Sequence, residues 1–228
     1  MPRPEVTLMY RSVMFFSRPI LRWWARLEAR NVDLVPLEGP VLILANHDSY
    51  WDTVAVGEAL LKRRQIQALA KSELWKNPAV GWVLNGMRQI PVKRGSADAA
   101  HALDAAIEVL KNGGCIGIFP EGGTSRGQVR APRSGAGRLL LAVPETRVVC
   151  VRITGTVDVA RFPKRPKIVL EFFEPAGGQA QPGETAQSMA KRFTTELRHG
   201  APPQIAGRKR KVAKARAALE QAAKPDDS

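Results

Sequence analysis

The chain has 228 residues, which suits one α/β domain with added segments or two small domains. Its 44% hydrophobic content is ordinary for a globular protein and argues against an intrinsically disordered chain. The formal net charge of +14 indicates an anionic partner, such as phosphorylated lipid, an anionic bilayer, nucleic acid or an acidic carrier protein, and charge alone does not choose among these.

The segment 8–27 comes closest to a membrane-spanning helix, but it lacks the ~18 uninterrupted apolar residues that a spanning helix needs. Pro19 is expected to kink it, and four arginines interrupt it: Arg11, Arg18, Arg22 and Arg26. With Trp23 and Trp24 as interface anchors, the pattern predicts that residues 1–30 form an amphipathic segment lying in the headgroup region of a membrane. The alternative is a terminal helix packed on the domain, for which four arginines are a poor match.

Short apolar runs alternate with helical patterns through residues 31–200. The predicted strands are 41–45, 67–70, 88–92, 115–119, 148–153 and 168–173. The predicted helices are 51–62, 73–84 with an interruption at Pro78, 97–111 and 134–142. This alternation predicts an α/β fold, with a largely parallel sheet flanked by helices.

The last segment, 201–228, differs in composition from the rest of the chain. Three acidic residues accompany seven basic ones: Arg208, Lys209, Arg210, Lys211, Lys214, Arg216 and Lys224. The charge pattern predicts a solvated basic helix or a frayed tail. Contact with anionic headgroups or RNA is the alternative.

The cysteines and histidines give no pattern of a disulfide framework or a metal site. Cys115 and Cys150 lie inside apolar runs and are predicted to be small core residues, as expected in a reducing, cytosolic compartment. His47, His101 and His199 have no histidine or cysteine at ligand spacing. No secretory signal is predicted.

Three polar clusters follow predicted strands. They are residues 46–52, 93–95 and 121–126. Ligands of open α/β sheets bind outside the carboxyl ends of the strands. We therefore expect the three clusters to converge on one site.

His47 and Asp52 form a candidate base and its orienting carboxylate. Five residues apart on one helix they would be ~140° out of phase, so the pair predicts His47 on the strand-to-helix turn and Asp52 in the first helical turn. The carboxylate would then hold one ring nitrogen and leave the other as a base. Asp48 or Ser49 is available as the N-cap of that helix. For an isolated pair, a histidine satisfied by capping neighbours is the better interpretation, and only the surrounding pattern reverses it.

The other two clusters offer anion-binding groups. Lys93 and Arg94 follow one strand, and Ser125 and Arg126 follow another, where they are candidates to hold a phosphate. Backbone N–H groups of the glycines at 122 and 123 are able to approach an anion or an oxyanion. A solvated Lys-Arg turn and a plain glycine-rich loop are the alternatives.

Taken together, these motifs resemble those of the glycerolipid acyltransferases, the family of 1-acylglycerol-3-phosphate acyltransferase. The matching residues are Asn46, His47, Ser49 and Asp52; Pro91, Val92, Lys93 and Arg94; and Phe119, Pro120, Glu121, Gly122 and Ser125. The resemblance spans residues 41–155. Gly123 and Thr124 depart from it, standing where the family commonly has threonine and arginine, and Val149-Cys150-Val151 lacks the proline of the fourth motif. These departures suggest an acceptor other than lysophosphatidate.

The resemblance implies a one-step acyl transfer, in phospholipid biosynthesis, from acyl-CoA or acyl-carrier protein to the free hydroxyl of 1-acylglycerol-3-phosphate or a related lysolipid. No cofactor and no metal are expected. His47 would deprotonate the hydroxyl and Asp52 would orient His47. By similarity, Arg94, Glu121 and Gly122 would bind the glycerol phosphate of the acceptor. The other expected substrate-binding residues are Asn46, Ser49, Lys93, Gly123 and Ser125, together with Arg126, which is added from the sequence pattern rather than from the family motif. The expected location is the cytoplasmic face of the cell membrane, as a peripheral or monotopic protein.

Two other functions remain open at this point. The same His-Asp pair could activate water as an ester or thioester hydrolase. The net charge could instead serve a nucleic-acid-binding module, although the sequence contains no common nucleic-acid motif and no nucleic-acid partner is expected.

Overall fold

A mixed sheet with helices on both faces forms the centre of the protein. The computed structural model describes residues 5–93, 98–159, 161, 163, 165–207 and 209–222. Within these ranges the strands are β1 (Glu28–Arg30), β2 (Val41–Ala45), β3 (Gln67–Lys71), β4 (Ile90–Val92), β5 (Cys115–Ile118), β6 (Arg147–Thr154) and β7 (Val169–Phe173). The helices are α1 (Leu8–Arg18), α2 (Trp51–Leu60), α3 (Pro78–Gly86), α4 (Asp98–Lys111), α5 (Gly135–Ala142), α6 (Ala186–Gly200) and α7 (Lys209–Ala222).

The strand order is β1-β7-β6-β2-β5-β3-β4. Every pairing is parallel except that of β6 with β7, where Cys150 lies opposite Phe173. All five residues of β2 are buried between β5 and β6, which is typical of a central strand covered on both faces. The predicted α/β class and largely parallel sheet are confirmed.

Each face of the sheet carries its own apolar core. Val41 and Ile43 of β2 point to one face, where they pack with residues of the N-terminal segment and α2. Leu42 and Leu44 point to the other face, against α4, α5 and α6. This alternation follows from the two-residue period of a strand. Packing on both faces holds β2 in place, and with it the end of the strand from which the His47 turn begins.

One side of the N-terminal helical segment packs on the domain, and its other side is exposed to solvent. Thr7 caps α1, and a π-helical turn over Pro19–Trp24 follows it, so the chain changes its helical form at the proline. Tyr10, Met14 and Leu21 are buried. The opposite side leaves large apolar side chains in solvent: Leu8, Phe15, Phe16 and Trp23.

Two arginines of this segment have a partner that the sequence did not indicate. The Glu58 side chain on α2 is fully buried, and its Oε1 accepts hydrogen bonds from Nε of Arg18 at 2.9 Å and of Arg22 at 3.3 Å. These ion pairs hold the N-terminal segment against α2. The arginines that made packing on the domain a poor match therefore take part in it.

Several local expectations are corrected by the structure. The helix expected over 73–84 with an interruption at Pro78 is two separate elements: a 3-10 helix covers Ser72–Lys76, Asn77 caps a new helix, and Pro78 is the first residue of α3, where its missing N–H costs nothing. The expected N-cap at Asp48 or Ser49 is also wrong, because α2 begins at Trp51 with Tyr50 in the cap position. Strand β1 and helix α6 were not predicted.

The division into segments 1–30, 31–200 and 201–228 stays a prediction. Leu21 and Ala25 of the first segment share a core cluster with β2 and α2. Helix α7 occupies half of the basic third segment. In the described part of the chain, no helix combines the length and the apolar character that crossing a membrane requires.

Candidate active site

The turn after β2 is tied to the neighbouring strand by Asn46. Its side-chain amide accepts a hydrogen bond from the backbone N–H of Ile153 at 2.7 Å and donates one to the Ile153 carbonyl at 2.9 Å. The side chain thus extends the β2–β6 pairing by one residue beyond the strand, and His47 follows at a fixed position.

His47 and Asp52 meet as their spacing predicts. The distance between His47 Nδ1 and Asp52 Oδ2 is 2.9 Å. The same oxygen accepts the backbone N–H groups of Asp48 at 2.7 Å and Ser49 at 2.8 Å, so the carboxylate in the first turn of α2 also shapes the turn that carries the histidine. The Asp52 side chain is fully buried, whereas that of His47 is 11% exposed. With Nδ1 held by the carboxylate, Nε2 is the nitrogen available to a substrate.

A second contact fixes the plane of the imidazole. The Phe119 ring, just beyond β5, stacks on the His47 ring with centroids 4.0 Å apart and planes 13° from parallel. Asp52 and Phe119 together restrict both rotations of the His47 side chain. A base held in this way loses little entropy when a substrate arrives.

Arg198 of α6 joins the two loops of the site, and the sequence pattern did not point to it. Its Nε and Nη2 donate to the two carboxylate oxygens of Glu121, each at 2.8 Å. Its Nη1 donates to Asp48 Oδ2 at 3.0 Å and to the Ala201 carbonyl at 3.0 Å. Arg198, Asp48 and Glu121 are all buried.

A signal for α6 exists in the sequence. Thr185 and Ser188 form a capping box at its start, and Met189, Phe193 and Leu197 recur at four-residue spacing along its buried face. Recognising this helix would have placed Arg198 beside a buried face, where an arginine needs an acidic partner.

The loops that follow β2 and β5 are also joined directly. The Ser125 N–H donates to the His47 carbonyl at 2.7 Å, and the Ser125 hydroxyl donates to Asp48 Oδ1. Burial raises the pKa of the Glu121 carboxyl above its usual range, against the opposing effects of Arg198 and of the backbone N–H of His47. Gln204, beyond α6, donates its N–H to Asp48 Oδ1 at 3.3 Å and accepts from the Ser125 hydroxyl at 3.3 Å.

A cavity of 1240 Å³ opens beside His47. One part of its wall is apolar and comes from α1, β3 and α3, including Met14, Ala68 and Leu84. Another part follows β5 and continues into α5, and is basic: Arg126, Arg130, Arg133 and Arg138. The candidate base therefore lies in a cavity that offers both an apolar wall and positive charge.

The structure brings some of the predicted site residues to this cavity and keeps others behind it. Those in the wall are His47, Gly122, Gly123, Ser125 and Arg126. Asn46, Ser49, Asp52 and Glu121 are buried, with side chains that hydrogen-bond to protein groups. Lys93 is exposed just after β4, and Arg94 lies outside the described residues. Substrate contact by each of these residues stays a prediction.

The two cysteines lie away from this cavity wall. Cys115 and Cys150 are free and buried, and burial raises the pKa of each thiol to about 12, which keeps both protonated and unreactive. Among the described residues, no group of three histidine, cysteine, aspartate or glutamate side chains could hold a metal ion.

Comparison with known proteins identifies the family. The family model described as Acyltransferase matches residues 26–154. The chain belongs to the acyltransferase family. Helix α6 and Arg198 lie beyond the matched region.

Individual relatives in this acyltransferase family agree with the assignment. The 1-acyl-sn-glycerol-3-phosphate acyltransferase of Bacillus subtilis (strain 168) is 24% identical over 75% of this chain and 74% of its own length. A lyso-ornithine lipid O-acyltransferase of Pseudomonas aeruginosa is 32% identical over 57% of this chain, which corresponds to half of that protein. The crystal structure of the 1-acyl-sn-glycerophosphate acyltransferase of Thermotoga maritima shares the fold, with a TM-score of 0.67, 22% identity, and coverage of 84% of this chain and 77% of that one. The protein is an O-acyltransferase.

Proposed function

We propose that this acyltransferase moves a fatty acyl group from a thioester carrier, acyl-CoA or acyl-carrier protein, to the free hydroxyl of a lysolipid in glycerolipid synthesis. The observation that carries the proposal is the His47 imidazole, held by Asp52 at 2.9 Å, in the wall of a cavity with an apolar side and a basic side. The names of the relatives in Bacillus subtilis and Pseudomonas aeruginosa supply the acceptor class, a lysolipid.

The reaction needs one base and no covalent enzyme intermediate. Nε2 of His47 removes the proton of the acceptor hydroxyl as its oxygen attacks the thioester carbonyl carbon. Asp52 stabilises the imidazolium that forms. The C–S bond then breaks, the new C–O ester bond remains, and the proton passes from the imidazolium to the departing sulfur.

The apolar wall of the cavity suits an acyl chain. Tyr10, Val13 and Met14 of α1 contribute to it, together with Val83 and Leu84 of α3. Burying methylene groups there is favourable by about 0.8 kcal/mol each. We expect the acyl chain of the donor to lie between α1 and α3, with its thioester carbonyl beside His47.

The exposed side of α1 suits a membrane surface. Phe15 is 64% exposed and Phe16 76% exposed, and Arg11 lies between them and the start of the helix. Apolar and basic side chains on one side of a helix favour the headgroup region of an anionic bilayer. We propose peripheral attachment at the cytoplasmic face of the cell membrane, with α1 in contact with the lipid.

The test is acyl transfer by purified protein. Labelled acyl-CoA and acyl-carrier protein are each incubated with a panel of lysolipids that includes lysophosphatidate and lyso-ornithine lipid, and products are identified by mass spectrometry. We expect one lysolipid to be acylated, and His47→Ala to lower the rate by about 10²- to 10⁴-fold without loss of the fold. His199→Ala is the matched control, since His199 is exposed on α6 and is not part of the described cavity wall.

Two outcomes would contradict the proposal. Release of free fatty acid at the same rate with and without a lysolipid would identify a hydrolase. Undiminished transfer by folded His47→Ala protein would remove His47 as the base.

A further inference from the structure

The segment 201–207, which leads from α6 into α7, is held beside the loops of the site. Arg161 donates from Nε to the Gly207 carbonyl at 2.6 Å and from Nη2 to the Ile205 carbonyl at 2.9 Å. The backbone of Gln204, one residue earlier, bonds to the loop after β2 and to the loop after β5. The chain therefore enters α7 from a segment that is tied to both active-site loops.

Helix α7 also contacts the loop after β5 directly. Gly127 lies in this loop with φ of +89°, and its two neighbours in sequence line the cavity beside His47. A Cβ at Gly127 would lie 2.5 Å from Cγ1 of Ile205 and 3.5 Å from Cδ1 of Leu219. The glycine thus lets a side chain of the connecting segment and a side chain of α7 cover the loop. This contact places α7 next to the basic side of the cavity.

The exposed positions of α7 carry positive charge and no large apolar side chain over residues 212–219, the part whose side chains the structure describes. Val212, Ala215 and Leu219 are partly buried and recur at helical spacing. The exposed side chains are those of Lys214 and Arg216, together with three alanines. The apolar residues of this part of the helix therefore serve its packing, and the charges are left to the solvent.

The positive charge of α7 is not explained by the stability of the helix itself. Its first turn contains Lys209, Arg210 and Lys211 and no acidic residue. Positive charge at this end is unfavourable, because the N-terminal end of the helix dipole is itself positive. Basic residues placed against the dipole favour a role in binding an anionic partner.

A soluble partner fits α7 better than a bilayer does. A helix that lies in a membrane surface combines basic residues with large apolar ones that enter the lipid, as α1 does with Phe15 and Phe16. The exposed side chains over residues 212–219 include none of this kind. Exposed charge without such residues is typical of contacts between proteins in which complementary charge raises the association rate and selects the partner.

We propose that α7 docks an acidic acyl-carrier protein that brings the acyl group as its thioester, a proposal that rests on the acyl transfer assigned to His47. The body of a carrier protein cannot enter a cavity of 1240 Å³, so it must bind outside while its pantetheine arm carries the thioester to the base. Helix α7 is placed for this contact, because it packs on the loop that lines the basic side of the cavity. Acyl-CoA has no protein body, and its use as a donor does not depend on α7.

Kinetics with two donors that carry the same acyl group test the proposal. In the Lys214→Glu/Arg216→Glu double variant, we expect kcat/KM for the acyl-carrier protein to fall by about 10-fold or more through a higher KM, since two attractive charges become repulsive. We expect kcat/KM for acyl-CoA to change by less than about 2-fold. Equal losses with both donors, an unchanged KM for the acyl-carrier protein, or no transfer from it by a protein that does use acyl-CoA would each overturn the docking surface.

The matched control is the Lys111→Glu/Lys191→Glu double variant. It reverses two exposed charges, one on α4 and one on α6, that are not part of the described cavity wall. We expect kcat/KM for both donors to stay within about 2-fold of the unmodified protein. A loss with the acyl-carrier protein as large as that of the α7 variant would show an effect of net charge alone and would contradict a surface on α7.

A binding measurement separates this proposal from the acyl transfer itself. Acyl-carrier protein with its pantetheine arm but without an acyl group is titrated into the full chain, and we expect the α7 variant to raise the Kd by about 10-fold or more at low salt and by less at high salt. Co-sedimentation with anionic phosphatidylglycerol vesicles should not change. Weaker vesicle binding with unchanged carrier binding would make α7 a membrane contact and overturn the proposal, whereas α7-dependent carrier binding by a protein without transfer activity contradicts only the reaction.

Discussion

Arg198 and Arg133 both lie beside the loop of His47, but their surroundings are opposite. Arg198 is buried and divides its guanidinium between two carboxylates, Glu121 and Asp48. Arg133 is exposed in the cavity wall, and the described residues include no carboxylate that pairs with it. The comparison shows two surroundings of one residue type: the neutralised Arg198 holds the loops together, and Arg133 presents its charge to the cavity.

Arg18 and Arg22 form an intermediate case. Their side chains are about half exposed, but both reach the fully buried Glu58. They therefore attach the N-terminal segment to α2 and still present charge towards the surface. Burial of the carboxylate partner, rather than of the arginine, distinguishes these pairs from an ordinary surface ion pair.

The largest effect is expected from Asp52→Asn, which removes a buried charge that serves the chemistry. The amide oxygen can still accept the N–H groups of Asp48 and Ser49, but an amide stabilises the imidazolium far less than a carboxylate does. We expect kcat to fall by about 10²- to 10⁴-fold, with little change in the acceptor KM. Steady-state kinetics and thermal unfolding of the same preparation measure this, and near-normal kcat would show that Asp52 serves the loop alone.

Arg198→Met sharpens the contrast between the two kinds of arginine. It leaves two buried carboxylates without their counter-charge, and we expect the free energy of unfolding to fall by about 3–5 kcal/mol. Adding Asp48→Asn and Glu121→Gln should restore part of that loss. Urea unfolding measures both, and Arg133→Met is the matched control, expected to change stability by less than about 0.5 kcal/mol. Equal losses at 198 and 133 would contradict the division of roles.

The smallest effect concerns the exposed side of α1. Replacing Phe15 or Phe16 with serine should weaken binding to anionic vesicles by about 10-fold each, since each ring would lose its burial in the headgroup region. Leu141→Ser on α5 is the control, because Leu141 is a similarly exposed apolar residue outside the N-terminal segment. Vesicle co-sedimentation measures the effect, and equal weakening by all three variants would show that α1 is not the membrane contact.

The central part of the fold was predictable because its signals are local. The apolar runs of β2 and β5 indicate the sheet, and the spacing of His47 and Asp52 indicates the turn and the pair. Strand β1 was not predictable, since Glu-Ala-Arg has no strand-like composition and becomes a strand by pairing with β7 at the sheet edge. The antiparallel direction of β7 is set by tertiary packing and leaves no mark in the sequence.

The motif residues of the site were predictable, but the distant residues that pair with them were not. Gly122, Ser125 and Arg126 were predicted and do lie in the cavity wall with His47. Arg198 of α6, the partner of Glu121 and Asp48, lies 77 positions after Glu121 and 150 positions after Asp48. No spacing rule connects residues that are so far apart in the sequence. The pairing of Glu58 with Arg18 and Arg22 was missed for the same reason.

The region matched by the family model ends at residue 154, but the loop of the base is completed from later in the chain. Arg198 supplies its counter-charge, and the backbone of Gln204 bridges Asp48 and the Ser125 hydroxyl. Trimming the protein to its recognisable motifs would keep both members of the His-Asp pair but remove Arg198 and Gln204, which join their loop to the loop after β5. A smaller scaffold designed to carry this His-Asp pair would therefore need other groups in place of Arg198 and Gln204.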